Sequence, residues 1–261
     1  MAISEVAQRN HDELFPNHDS TLKVTDPELI EVFDNFAFDE VLRERTIDTQ
    51  TRLVVQLATI IASQALSEYR VMLGAALTVG VTPVEAKEIV YQAVPYVGMA
   101  KVFDFLHITN DVLTERGVEL PLERQSTTTP ETRLEKGLAV QKEIVGEKAV
   151  DAMYANAAND EKHIQHYLSA NCFGDYLTRT GLSVQTRELV TFSMLIALGE
   201  CDPQVRGHVA ANLNVGNTRA VLLAVITDVL PFIGYPRSLN ALAAVNEVAP
   251  AGTTQPPAHP H

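Results

Sequence analysis

The stretch "RELVTFSMLIALGECDPQVRGHVAANLNVG", residues 187–216, is mostly apolar and helix-forming, yet Glu188, Cys201 and His208 interrupt it. A carboxylate, a thiol and an imidazole are groups that move protons or electrons. A Glu set behind a His makes a proton-transfer pair. A Cys just ahead of a helix start lies beside unsatisfied backbone N–H groups, where the helix dipole favours its thiolate. Gln204 and His208 are four residues apart and share one helix face. Arg187, Arg206 and Arg237 are cations that could anchor a substrate carboxylate. Each of these residues also has a plain structural reading. A helix-hairpin Cys is often a small buried hydrophobe, a lone helical His is often structural, and Glu188 could pair with Arg187. Elsewhere, His163 and His166 have a metal-compatible i,i+3 spacing but no carboxylate on the same face, so no metal site is expected.

For Glu188 to face His208, two helices must pack antiparallel about a break. Gly199 supplies the break, and Asp202-Pro203 restarts a helix with Asp as N-cap and Pro at the first position. Gly216 gives a left-handed C-cap and Thr218 caps the next helix. In the first half, "TPVE" at 82–85 is a capping box. The "PYVG" and "PFIG" turns break the chain again. No period-2 alternation persists, so an all-α fold is expected.

The chain repeats itself. "TQTRLVVQLATIIA" at 49–62 recurs as "VQTRELVTFSMLIA" at 184–197, an offset of 135. "LTVGVTPVEAKEIVYQAVPYVG" at 77–98 recurs as "LNVGNTRAVLLAVITDVLPFIG" at 213–234, an offset of 136. This is a tandem duplication: repeat 1 at 1–116, a polar linker at 117–131, repeat 2 at 132–249 and a Pro-rich tail at 250–261 that is expected to be disordered. The first copy carries Leu53, Ala65 and Met72 where the second has Glu188, Cys201 and His208. A polar set needed for scaffolding would stand in both copies, so the loss points to chemistry in the second alone, the alternative being that the second copy merely tolerates these residues. Whether the first copy lends groups such as Glu68, Tyr69 or Arg70 to that site stays open.

Composition narrows the function classes. With 20 Lys+Arg against 33 Asp+Glu the formal charge is −13, which argues against nucleic acid or an anionic membrane as partner. The 46% hydrophobic content suffices for a core in each half. Two cysteines make no disulfide framework. No secretory leader is visible, and no uninterrupted apolar run reaches membrane-spanning length. A cytoplasmic location is expected.

The segments "RELVTFSMLIALG…RGHVAANLNVG" and "LLAVITDVLPFIGYPRSLNAL", with "RLEKGLAVQKEIVGEKAVDAMY" upstream, resemble the carboxymuconolactone decarboxylase family. The resemblance covers nearly all of the second half and, more loosely, the first from about residue 26 to 114. It implies a compact all-α fold, two alkylhydroperoxidase D-like domains in tandem, and a homo-oligomer in which three tandem chains replace a ring of six single domains. It implies a site near subunit or domain contacts and a small-molecule substrate. The decarboxylase branch acts without cofactor in protocatechuate-type breakdown. A sister branch reduces peroxides with a Cys-x-x-Cys pair, a His and an upstream Glu. That pattern falls on Glu188, Cys201, Gln204 and His208, so the resolving thiol is replaced by Gln204. Three readings follow: decarboxylation or isomerisation of a carboxylated lactone with His208 and Glu188 as acid and orienter; peroxide reduction by Cys201; and a non-catalytic ring-forming binder.

Overall fold

A computed structural model describes residues 2–16, 20–44 and 46–252. Most of the Pro-rich tail, from residue 253 on, lies outside the described residues. The described residues are helical and include no strand. An N-terminal layer, α1 (Glu5–Leu14), α2 (Leu22–Thr25) and α3 (Pro27–Asn35), runs through a π-helical turn at Phe36–Glu40 into α4 (Val41–Arg43). The first repeat's main helices are α5 (Thr49–Ala62), α6 (Leu66–Thr78), α7 (Pro83–Val97) and α8 (Met99–Glu115). After the linker come α9 (Arg133–Val145), α10 (Glu147–Asn156), α11 (Lys162–Tyr167) and a second π-helical segment, Leu168–Leu177. The second repeat closes with α12 (Val184–Leu198), α13 (Asp202–Asn214) and α14 (Arg219–Val248).

The repeats share their start signals. The side chains of Asp48 and Ser183 cap α5 and α12 by accepting from Thr51 N and Thr186 N. Thr82 and Glu85 form the expected capping box of α7, and Thr218 caps α14. In α13 the cap is Cys201, one residue earlier than expected, and its side chain makes no capping bond. Gly199, at φ 71°, ends α12 in a conformation that any other L-residue would resist. Gly234, at φ 73° and ψ 172°, divides α14 into two helices that correspond to α7 and α8.

By length and mean hydropathy (1.4), Arg219–Val248 is long and apolar enough to cross a membrane, although Gly234 divides it into two helices. It is not an uninterrupted apolar run, since it includes Thr227, Asp228, Gly234 and two prolines. Asp228 is buried against the rest of the fold.

Each half has its own core, as composition had suggested, but neither is built from one half alone. Val190, Met194 and Ala197 of α12 belong to the apolar cluster of Leu53, Leu57 and Ile61 from α5. Val55 of α5 in turn joins Phe192, Val209 and Val225. The helices α5 and α12 therefore pack on each other as a central pair. α7 lies across both, and so does α14.

The linker is pinned rather than loose: Thr127 and Thr128 donate to the carbonyls of Thr178 and Gly174. α9 lies backbone to backbone on the second π-helical segment. A Cβ on Gly137 would come 2.0 Å from the Ser169 carbonyl oxygen, and one on Gly174 would come 2.2 Å from that of Arg133.

A buried charge cluster fastens α7 to α12. Arg187, 1% exposed, donates to Glu88 Oε2 at 2.9 Å and to Gln92 Oε1 at 2.9 Å. It also donates to the carbonyls of Arg179 and Thr180. Arg179 grips the same Glu88 carboxylate, at 2.8–3.0 Å. Glu88→Ala leaves one guanidinium buried without its counter-charge, so it should lower stability by about 3–5 kcal/mol. Urea unfolding of the two proteins measures this.

Candidate active site

Glu188 projects from the second turn of α12 and is wholly buried. His208 projects from the middle of α13, its side chain 17% exposed. The antiparallel hairpin brings His208 Nδ1 to 2.8 Å from Glu188 Oε2. An ionised carboxylate can only accept, so Nδ1 carries the proton and Nε2 is left for a substrate. Glu188 Oε1 is buried with no hydrogen-bond partner among the described residues. Native structures seldom leave a charged oxygen so, and such atoms gather where chemistry is done.

Asn212 fixes the hairpin. Its Nδ2 donates to the carbonyls of Glu188 (3.1 Å) and His208 (2.7 Å), and its Oδ1 accepts from Asn217 Nδ2 (2.8 Å). Asn217 also donates to the Gln185 carbonyl. Sequence reasoning missed this strut, since an Asn inside a helix gives no sign of what it reaches.

The first repeat does enter the site, but not through the residues the sequence suggested. Tyr69 is buried and hydrogen-bonds Thr109 at 2.8 Å, and Arg70 pairs with Glu115 on the surface. The donor is Tyr96, near the end of α7. Its ring meets the His208 ring edge-on, with centroids 5.9 Å apart. The ring is half-buried but its hydroxyl end is enclosed. That enclosure, with Cys172 and Glu188 nearby, holds the phenol well above its ordinary pKa. Cys172 Sγ lies 4.0 Å from the Tyr96 hydroxyl. The signal was present in "PYVG", which reads as a turn when only the local chain is considered.

The other candidates sit elsewhere. Cys201 points its thiol at the Leu195 carbonyl, 3.3 Å away. It borders a crevice of about 20 Å³ with Gly199 and Arg237, room for little more than a water. Burial, then the adjacent Asp202 charge, raises its pKa, contrary to the thiolate expected from the helix dipole. Arg187 is consumed by the Glu88 cluster and is not free to hold a substrate. Arg206 pairs with Glu247 at 3.3 Å on the surface. Arg237 is exposed and lies beside Gly199. Gln204 is exposed on α13. His163 and His166 are exposed and each stacks against Tyr167. Among the described residues no group of three His, Cys, Asp or Glu could hold a metal.

The carboxymuconolactone decarboxylase family matches the chain twice, over residues 27–111 and 162–247. The chain belongs to this family. The second match contains Glu188, Cys201 and His208, and the first contains Tyr96. One relative, the 4-carboxymuconolactone decarboxylase of Acinetobacter baylyi, is 35% identical over 118 residues, 45% of this chain and 87% of that protein. That relative is therefore about as long as one repeat. This chain carries two such units in tandem.

Burial pushes the Cys172 thiol up to about 12. A thiol whose pKa is raised by folding contributes stability below its unfolded pKa and loses it as pH climbs toward the folded value. Between pH 9 and 12 the Cys172→Ala variant should therefore lose stability more gently than wild type, by about 1.4 kcal/mol per pH unit. Urea midpoints taken across that range give the slopes.

Proposed function

We propose that the chain is a cofactor-free decarboxylase acting on a small carboxylated lactone, with its site in the second repeat. What carries this reading is the His208–Glu188 pair: a wholly buried carboxylate bonded to one nitrogen of an imidazole that keeps 17% of its side-chain surface exposed. Loss of CO2 breaks a C–C bond and leaves its electron pair on the substrate. A conjugated lactone takes that pair onto its carbonyl oxygen as a dienolate. A proton must then be returned to carbon.

In this scheme His208 delivers the proton from Nε2, and Glu188 holds the ring in one tautomer and stabilises its positive charge while it is protonated. Tyr96, edge-on to the ring, limits its orientation. Exclusion of water around the bound substrate would disfavour its charged carboxylate more than the dispersed charge of the dienolate. The family and the named activity of the relative support the same class of reaction.

The peroxide alternative has less support. Gln204 stands where a resolving thiol would be, Cys172 is enclosed by Tyr96, and Cys201 has a raised pKa beside a very small crevice.

The same reading includes assembly into a homo-oligomer. Met99 and Phe103 on α8 are 45% and 53% exposed, and their repeat counterparts Tyr235 and Leu239 are 61% and 58% exposed. Two equivalent apolar patches on one chain suit a closed ring of copies. A Phe103→Asp, Leu239→Asp double variant should elute as a smaller species in size-exclusion chromatography with light scattering.

The direct test is consumption of 4-carboxymuconolactone. His208→Ala should lower kcat/KM by about 10²–10⁴. Glu188→Gln should lower it as well, with the fold retained. Equal rates for wild type and His208→Ala would remove His208 from the mechanism and this reading with it.

A further inference from the structure

The first repeat has lost the acid–imidazole pair but has kept a hollow at the equivalent place. Met72 occupies the position of His208, and Phe232, the counterpart of Tyr96, comes across from the second repeat. Both border a cavity of about 450 Å³, within the range of small-molecule sites. Phe15, Phe33 and Phe38 complete an aromatic wall. Part of the enclosure, including His11, Phe15 and Lys23, comes from α1 and α2, which precede the first family match.

Two polar groups in this wall have no evident structural purpose. Asp34 is 6% exposed and lines the cavity, and the neighbours that act on its carboxylate, His11 and Lys23, do so through charge and not through a donated hydrogen bond. Ser63 Oγ is buried and also lacks a partner among the described residues. A buried carboxylate without a donor is costly, and an apolar residue of similar size would be cheaper if packing were its only task. Burial accordingly raises the Asp34 pKa, while His11 and Lys23 pull it the other way. Glu68 at the rim adds a second negative charge to a lining whose basic groups are His11 and Lys23.

From this geometry we infer that the first repeat binds a small apolar amine, its ammonium on Asp34 and its body among the phenylalanine rings. An ammonium supplies the charge and the donor that Asp34 lacks, and aromatic faces attract cations. A carboxylate ligand would meet Asp34 and Glu68 as like charges. A neutral alcohol would leave the Asp34 charge uncompensated. The inference is independent of the decarboxylase reading, because it uses neither Glu188 nor His208.

The test uses the full chain and three probes that share one body: phenethylamine, 2-phenylethanol and phenylacetate. Calorimetry should show the amine binding about tenfold or more tightly than the alcohol, with phenylacetate weaker still. The Met72 methyl resonance, assigned through Met72→Leu, should shift on amine titration. Asp34→Asn should erase the amine's advantage while unfolding at a denaturant concentration equal to or above that of wild type. His208→Ala should leave amine binding unchanged, so a failure of the catalytic reading does not disturb this one. Amine and alcohol binding equally, a preference that survives Asp34→Asn, a stationary Met72 resonance, or no binding by any probe would each overturn it.

Discussion

The contact between Arg187 and Glu88 sets the geometry of the whole molecule. It is an ion pair with almost no solvent exposure, joining the first turn of α12 to the middle of α7. Two charges taken out of water are tolerable only when geometry and additional hydrogen bonds compensate them. Here Arg179, Gln92 and two backbone carbonyls do so. The rotation and register of α7 on α12 are thereby fixed. Glu88, Gln92 and Tyr96 fall at successive i+4 positions on one face of α7. Once Glu88 is on Arg187, Gln92 reaches the Arg187 carbonyl and Thr191, and Tyr96 arrives at His208.

The duplication repeats this crossing with other side chains. α14 lies over α5, where Gln56 donates to the Asp228 carbonyl at 2.9 Å. The aromatic residue at the end of the crossing helix again meets the neighbouring hairpin, as Phe232 near Met72 instead of Tyr96 near His208. Each of these places is thus built from a hairpin of one repeat and a helix end of the other. The copies can diverge in chemistry without changing the scaffold, because caps, turn glycines and the central helix pair are separate from the residues that face these places. One copy keeps an acid behind an imidazole. The other keeps an aromatic-walled cavity with Asp34 inside and Glu68 at its rim.

The two thiols illustrate how environment overrides residue type. Helix-start position alone favours a Cys201 thiolate, but the thiol is turned toward the Leu195 carbonyl and sits beside Asp202, and both burial and charge oppose ionisation. Cys172 lies nearer the acid–imidazole pair, against Tyr96, yet enclosure keeps it protonated.

Local and periodic information determined much of this protein from the sequence alone. Capping residues, break glycines, the all-α class and the repeat are encoded by neighbours within a few positions or by self-similarity, and both are visible in one dimension. The pairing of Glu188 with His208 was also legible, because a hairpin with a known break leaves few ways to align two helices. Tertiary structure alone decided what depends on contacts nearly a hundred residues or more apart. It took Arg187 out of the candidate site by giving it Glu88, and it brought Tyr96 in from the other repeat. It made each half's core borrow residues from the other, and it gathered a cavity beside Asp34. No periodicity or motif specifies which helix of one copy crosses which helix of the other. That choice follows from the burial of whole faces, and it places the residues of the site.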